Sequence, residues 1–521
     1  MATRQSSDFY DQLPYDSSSF SDTHPDDLYA VGRLFGMQPA PAQHCRVLEL
    51  GCATGGNIVP MAYYLPDSEF VGVELSDYQA GLAQDWIGQL GLANIQIHAL
   101  DIMQIERQFG VFDYIIAHGV YSWVPPAVQQ RILALCQQLL KPQGIAYISY
   151  NVRPGWHMRN MTRDILLYAT RHEAEPMHKL AVARETLQFL ARGMSQIDTE
   201  ASRWMQQEVD YLLHKAASSY LYHEYLETCN EQVMFSEFVA RAGQSHLQYL
   251  ADSELHTMFP SGLGESVEAL FDNIDGLLEQ EQYIDFLRLR PFRQSLLCHA
   301  AVNISRDIDL GLFDEFLFVA DLQTQQNPNL KKKMPQTYRT SGGREFTVTH
   351  PLTRAALAML SERYPNGAEF AELSAHAREL VARHGNHALA EEMLVLQEEL
   401  FGLYLSRALR LSSNRTVIFN QLSERPRASR LALSQYPRGN ATGPRHMDLT
   451  LDAFATRVLT ACDGSNTEAQ IVAQLLAEWR SDAALRDLVG CGQNEKRAQE
   501  RITANCRQLL QRFARHGLLC D

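Results

Sequence analysis

The sequence predicts an α/β fold in which a doubly wound sheet of seven strands is interrupted by a helical insert and followed by mainly helical C-terminal domains. Three observations lead there. Short apolar runs alternate with helical patterns from Arg46 to Tyr150. A glycine-rich turn, Gly51-Cys52-Ala53-Thr54-Gly55-Gly56-Asn57, joins the first run to the first helix. Polar stretches bearing Pro, Gly and Lys divide the chain beyond Asn303 into further blocks.

Strand-like runs fall at Arg46–Leu50, Phe70–Glu74, Ile95–Ala99, Phe112–Ala117 and Ile145–Tyr150, with helical patterns at Ile58–Leu65, Tyr78–Leu90 and Ala127–Leu140 between them. Runs that are apolar on both faces and separated by crossover helices belong to a parallel sheet covered on both sides. Lys141-Pro142-Gln143-Gly144 turns the chain into the fifth run. From Met158 to Ala240 the pattern is helical, so residues 157–240 are expected to form an insert. His246–Ala251 and Phe292–His299 are then the sixth and seventh strands, in a region spanning 241–303. The alternative is a separate helical domain with its own small sheet, which would leave Leu297 unpaired with the main one.

Leu330–Arg344 and Glu424–Arg445, the latter with Pro426, Pro437 and Pro444, are expected to be linkers. Helical patterns at Pro351–Arg363, Phe370–His384 and Ala388–Leu411 follow the first. Leu451–Ala461, Thr467–Trp479 and Glu495–His516 follow the second. The two blocks, 345–420 and 446–521, share a helix, turn, helix layout that suggests a tandem pair of winged-helix-like domains. Phe370-Ala371-Glu372-Leu373 offers acid where a DNA-reading helix needs Arg, Lys or Asn, so protein–protein contact, homodimerisation included, is the expected role.

With 46 basic and 61 acidic side chains the net charge is −15, which disfavours nucleic acid as a partner. The nine cysteines are scattered without a CxxC pair, so no metal is expected and a reducing, cytoplasmic setting fits. Met1–Tyr10 is polar rather than basic then apolar, and no apolar run approaches the ~20 residues of a membrane span.

The turn after the first strand resembles both dinucleotide and S-adenosylmethionine (SAM) sites. Glu49 would repel a pyrophosphate and attract a methionyl ammonium, which favours SAM. Cofactor contacts are expected from Glu49, Gly51, Cys52, Ala53, Gly55 and Asn57 around the turn, from Glu74 on the ribose hydroxyls with Leu75 beside it, and from Asp101 and Ile102 on the adenine. A plain helix N-cap is the other reading of Asp101. At Ala53 a methyl group is tolerable if the backbone angle is ordinary.

The loop His118-Gly119-Val120-Tyr121-Ser122-Trp123-Val124-Pro125-Pro126 groups aromatic side chains on what is expected to be an exposed turn, where they can wall a channel for an amine. Trp123 can equally anchor the loop. His118, Tyr121, Tyr150 and Trp156 are the expected residues around methyl transfer, His118 also bordering the cofactor, with His157 a further proton acceptor. Tyr15, Phe20, Thr23, His24 and Pro25, within residues 1–45, are lid candidates, or else simply pack across the sheet edge.

Taken together, Tyr15-Asp16-Ser17 with Thr23-His24-Pro25-Asp26, Leu34-Phe35-Gly36, Val47–Asn57, Phe112–Ile116 with His118–Pro125, Ser149-Tyr150-Asn151 with Pro154-Gly155-Trp156, and Arg293–Cys298 resemble a bacterial family. It is that of the class I SAM-dependent methyltransferases carrying a methyltransferase regulatory domain. Some members are protein-lysine methyltransferases of outer-membrane proteins with a C-terminal winged-helix domain. The resemblance implies a Rossmann-like core at 46–156, SAM as cofactor and, by analogy, a protein lysine as acceptor. The competing functions are a small-molecule methyltransferase and a SAM-binding scaffold without turnover. Val152-Arg153 departs from the Thr-Tyr pair common in relatives, and Glu74 from the commoner Asp.

Overall fold

The computed structural model describes residues 18–260, 263–323 and 328–520 of the 521. Met1–Tyr10 and the lid candidate Tyr15 lie outside them.

After the helix α1 (Pro25–Leu34), the chain alternates β1 (Arg46–Leu50), α2 (Ile58–Tyr64), β2 (Glu69–Glu74), α3 (Asp77–Leu90), β3 (Ile95–Ala99), β4 (Phe112–Ala117), α4 (Pro126–Leu139) and β5 (Leu140–Asn151). Local chemistry sets these boundaries. The Ser76 hydroxyl accepts from the Gln79 N–H to cap α3, and Gly91, at φ 68°, ends it in the left-handed conformation that glycine adopts without a Cβ penalty. Every residue of β4 is buried, as expected for a central strand with helices on both faces.

The insert comprises α5 (His157–Ala169), α6 (Pro176–Met194), α7 (Glu200–His214), α8 (Ser218–Tyr225) and α9 (Phe235–Gln244). Leu166, Leu187, Val209, Leu212 and Leu221 give it a small core of its own. The chain then adds β6 (Leu247–Asp252), α10 (Glu265–Phe271), α11 (Leu277–Arg288) and β7 (Phe292–His299). The strand order is β3-β2-β1-β4-β5-β7-β6. Leu297 pairs with Ala146 of β5 and with Tyr249 of β6, so these strands complete the main sheet. The parallel pattern ends here, because β7 runs antiparallel to both neighbours.

A buried ionic cluster pins α11 beneath this edge. Arg293 of β7 donates to Asp285 at 2.8 Å and to Glu281 at 2.8 Å, and Glu281 also accepts from the Tyr249 hydroxyl at 2.9 Å. Arg290 reaches Asp285 at 3.1 Å and Asp252 at 3.4 Å. Burial pushes the Glu281 and Asp252 carboxyls up, against the opposing pull of the arginines. Such a cluster adds little net stability when complete, yet removing one member strands the others in a low dielectric.

Both expected linkers are structured. β8 (Leu317–Val319) and β9 (Leu322–Gln323) are followed by β10 (Gln336–Thr340) and β11 (Glu345–Val348), which form an antiparallel pair across Gly342-Gly343. Then come α12 (Pro351–Arg363), β12 (Ala368–Glu369), α13 (Phe370–Arg383), α14 (His387–Ala390), α15 (Met393–Leu405) and β13 (Arg410–Ser412). The expected continuous helix over 388–411 therefore breaks, its end pairing as β13 with β8. The second expected linker holds β14 (Arg427–Ala428), α16 (Arg430–Gln435) and β15 (Asn440–Thr442), which pairs with β16 (Asp448–Thr450). β14 to β16, of two or three residues, show no periodicity, and β10, though five residues long, is mostly polar, so turn residues dominated these stretches. Cys462, Leu459, Ile471, Ile502 and Phe513 lie in the separate core of the last block.

Replacing Arg293 with Leu leaves Glu281 buried without its cation and Asp285 with Arg290 alone, and should cost about 3–5 kcal/mol. The expected outcome is a clearly lowered thermal unfolding midpoint; an unchanged midpoint contradicts the assignment.

Candidate cofactor site

The turn after β1 is built from backbone geometry. Gly51, Ala53 and Gly55 have φ of 71°, 48° and 81°. The Gly51 and Cys52 N–H groups both donate to the Val73 carbonyl, at 2.8 and 3.1 Å, which locks the turn to the end of β2. A Cβ at Gly51 would lie 2.6 Å from Val120 of the loop after β4, so that glycine also lets two loops meet. The condition set for Ala53 is not met: its backbone is left-handed, at a cost of about 1–2 kcal/mol for a residue with a Cβ. Its N–H donates to the Glu74 carboxylate at 2.9 Å, a charge-assisted bond that offsets the strain.

Glu74 is buried at the end of β2, and its other oxygen accepts from the Ser76 N–H at 3.0 Å. Two backbone donors fix its plane. Leu75 beside it is 40 % exposed, an apolar surface at the rim of the turn. Asp101 follows β3 and caps a short 3-10 helix, Ile102–Gln104, by accepting from the Met103 N–H at 2.9 Å. The capping role read as its alternative is therefore present, and it holds the carboxylate at the strand end. Ile102 is half-buried next to it.

Glu49 is 4 % exposed and stands at the C-terminal end of β1. Its Oε1 accepts from Asn57 Nδ2 at 2.8 Å, while its buried Oε2 has no hydrogen-bond partner among the described residues. Burial, with Glu74 nearby, pushes its carboxyl up to about 7. An unpaired buried carboxylate oxygen is costly, and a cation is the partner that would relieve it.

Asn57 ties this acid to remote segments. Its Oδ1 accepts from the Phe20 N–H at 2.9 Å and lies 2.8 Å from His446 Nε2. Thr23 Oγ1 accepts from Asn57 Nδ2 at 3.0 Å and donates to the Phe20 carbonyl at 2.8 Å. His24 caps α1, its Nδ1 accepting from the Asp26 N–H, and Pro25 occupies the first turn, where its missing N–H costs nothing. The segment from Phe20 to Pro25 thus lies over the turn rather than along a sheet edge.

Over the other side, the Phe20 ring packs on His118 at 3.9 Å, tilted by 32°, and His118 Nδ1 meets the Tyr147 hydroxyl at 2.9 Å. Burial lowers the His118 pKa to about 4, so the ring is neutral near pH 7. The rest of this loop is not the exposed aromatic turn expected. Tyr121 is 0 % exposed and packs edge-on against Tyr150 and Phe238. Tyr150 stacks on Phe238 at 4.0 Å with its hydroxyl on Ser295. Trp156 is 2 % exposed, edge-on to Trp123. The helical insert supplies Phe238 and so covers these rings, which the sequence could not reveal. His157 is exposed at the start of α5. Arg153, at the departure Val152-Arg153, pairs with Glu237 of α9 at 2.6 Å.

Several residues were missed by sequence reasoning. His446 is one; Asp448 is another, accepting from Ser19 Oγ at 2.5 Å. Arg407 pairs with Asp22 at 2.8 Å, Arg410 pairs with Asp27, and Ser413 donates to Asp26. A cavity of about 210 Å³ adjoins this seam, walled by Asp22, Leu28, Leu255, Tyr404, Arg407 and Leu409. Their only signal was acid clustering at Asp22-Asp26-Asp27 and arginines at 407 and 410, which no local pattern connects. Among the described residues no cluster of three or more His, Cys, Asp or Glu has metal-binding geometry, and no helix is long and apolar enough to cross a membrane.

Residues 47–144 match a family described as a methyltransferase domain, 217–299 one described as a predicted methyltransferase regulatory domain, and 424–518 one described as a PKMT C-terminal winged helix domain. An uncharacterized protein of Rickettsia prowazekii, RP789, is 32 % identical over 478 residues, 90 % of this chain and 85 % of the relative. Another from that organism, RP028, is 35 % identical over 241 residues, 46 % of this chain and 96 % of the relative. The structure of PKMT2 from Rickettsia typhi in complex with AdoHcy superposes with a TM-score of 0.84 at 26 % identity, covering 97 % of this chain and all of that one.

The strained turn yields its own test. Ala53→Val places a β-branched residue at φ 48°, and should lower stability by about 1–3 kcal/mol. Ala53→Gly should melt no lower than the parent by more than its added chain entropy, about 0.5–1 kcal/mol. A valine variant as stable as the parent contradicts the left-handed geometry.

Proposed function

Since this chain belongs to the bacterial class I SAM-dependent methyltransferases that join a methyltransferase domain to a regulatory and a winged-helix domain, we propose that it methylates an amine of a protein substrate, lysine the favoured acceptor. The observation that carries this reading is the likeness to Rickettsia typhi PKMT2 along the whole chain, C-terminal domain included. Protein-lysine methyltransferases are also the members that the sequence motifs resemble.

The residues fit SAM. The unpaired Glu49 Oε2 suits the methionyl ammonium, and the Gly51–Gly55 turn brings backbone close without side chains in the way. Glu74 accepts the ribose hydroxyls, Leu75 and Ile102 cover the adenine, and Asp101 accepts its amino group. SAM supplies a methyl group already activated on its sulfonium. The protein has to align the amine with it and exclude water.

Phe20, His118 and Tyr147 border that approach. A histidine held to about 4 is too weak a base to take the proton of a lysine ammonium, so His118 orients rather than deprotonates and the amine reacts in its neutral form. Tyr121, Tyr150 and Trp156 act beneath the surface, holding the His118 loop in place. The largely apolar cavity beside the lid suits an aliphatic stem.

Incubation with isotopically labelled SAM and cell lysate should label a discrete protein band, with the label recovered on lysine. Label only on small molecules, or none, contradicts the reading. Glu74→Ala should weaken SAM binding in calorimetry by about tenfold or more, the loss of charge-assisted bonds of about 1.5–3 kcal/mol. If Glu49 must be ionised to hold the ammonium, SAM affinity is full above about pH 7 and falls as pH drops below it. Glu49→Gln should bind more weakly and lose that pH dependence; a parent whose affinity is flat from pH 5.5 to 8 contradicts the role.

A further inference from the structure

The C-terminal block reaches the cofactor turn at one point. His446 sits between β15 and β16, 2 % exposed, at φ 55°. Its ring lies 5.2 Å from that of His24, and its Nε2 is 2.8 Å from Asn57 Oδ1. The orientation of Asn57 follows from its fixed partners. The Phe20 N–H is an obligate donor and the Glu49 carboxylate an obligate acceptor when ionised, so Oδ1 faces Phe20 and Nδ2 faces Glu49. Oδ1 can then only accept from His446, whose Nε2 must carry the proton. Burial lowers the His446 pKa well below its ordinary value, which keeps the ring neutral.

Around this contact the geometry is fixed from both sides. Arg445 donates from Nε to the Pro365 carbonyl at 3.0 Å, and its own carbonyl accepts from Arg410 at 2.8 Å. Asp448 accepts from Ser19, Asn440 and Thr442. His446 is thus delivered by a braced turn, aimed at the amide that holds Glu49.

We propose that His446 is a positioning residue for the donor: through Asn57 it holds Glu49 so that Oε2 presents to the amino acid end of SAM, which makes the C-terminal domain part of the cofactor site. The proposal rests on the assignment of Glu49 to the methionyl ammonium. It predicts a selective effect, since 5′-methylthioadenosine carries the adenosine part without the amino acid end. A merely structural His446 would affect both ligands or neither.

The test is calorimetric titration of the full chain with SAM and with 5′-methylthioadenosine. His446→Phe keeps a ring and removes the donor; SAM should bind about tenfold more weakly, the worth of one lost hydrogen bond in a buried network, and 5′-methylthioadenosine equally well. His446→Gln, whose amide N–H can take the place of Nε2–H, should restore SAM binding. His446→Asn tolerates the left-handed backbone but is too short to reach Asn57, and should repeat the selective loss if the Phe variant does not fold. Unchanged SAM affinity in a folded variant, or equal weakening of both ligands, overturns the proposal. A parent chain that binds 5′-methylthioadenosine and SAM equally tightly overturns instead the Glu49 assignment, and the proposal with it.

Discussion

One amide, that of Asn57, sets the arrangement of the candidate cofactor site. It has a single acceptor oxygen and a single amino group, and the structure uses both: the oxygen for Phe20 and His446, the nitrogen for Glu49 and Thr23. Three segments far apart in the chain therefore converge on the first residues after the glycine-rich turn. Because the site is buried, each bond is stronger than in water and each omission more costly. The turn, the N-terminal segment and the C-terminal domain depend on one another through that group.

The seam between the N-terminal segment and the later domains extends this dependence. Asp26 and Asp27 at the start of α1 favour the helix dipole and serve a second time as acceptors for Arg410, Ser412 and Ser413, while Asp22 just before the helix pairs with Arg407. Partial burial raises the Asp27 carboxyl to about 6 even beside Arg410. An N-terminal segment fastened by such paired charges is ordered by the domain it contacts. Sequence distance is no guide here: Asp26 and Ser413 are 387 residues apart.

The sheet was legible because its strands are long, apolar on both faces and separated by amphipathic helices, and Leu297 paired where the pattern placed it. Glycines in the turn and the acids Glu49 and Glu74 were legible because the backbone and charge demands of that turn admit few residue types. Two kinds of feature escaped. Elements such as β12 and β14, two residues each, lie below the length at which a period exists. Tyr121 looked exposed because its cover, Phe238, comes from an insert whose docking leaves no local signature, and the same ring stacks on Tyr150. Ala53 failed differently: alanine is silent about φ, and only the bond to Glu74 explains its left-handed backbone.

The central claim is that Glu49, held by Asn57, is the anchor for the amino acid end of the donor. The most direct measurement is a crystal structure of the full chain with AdoHcy. It should show Glu49 Oε2 within about 3.2 Å of the ligand's amino nitrogen, with the Asn57 bonds to Phe20 and His446 intact. An amino group bound elsewhere, with Glu49 turned away or Asn57 detached from His446, would contradict the account.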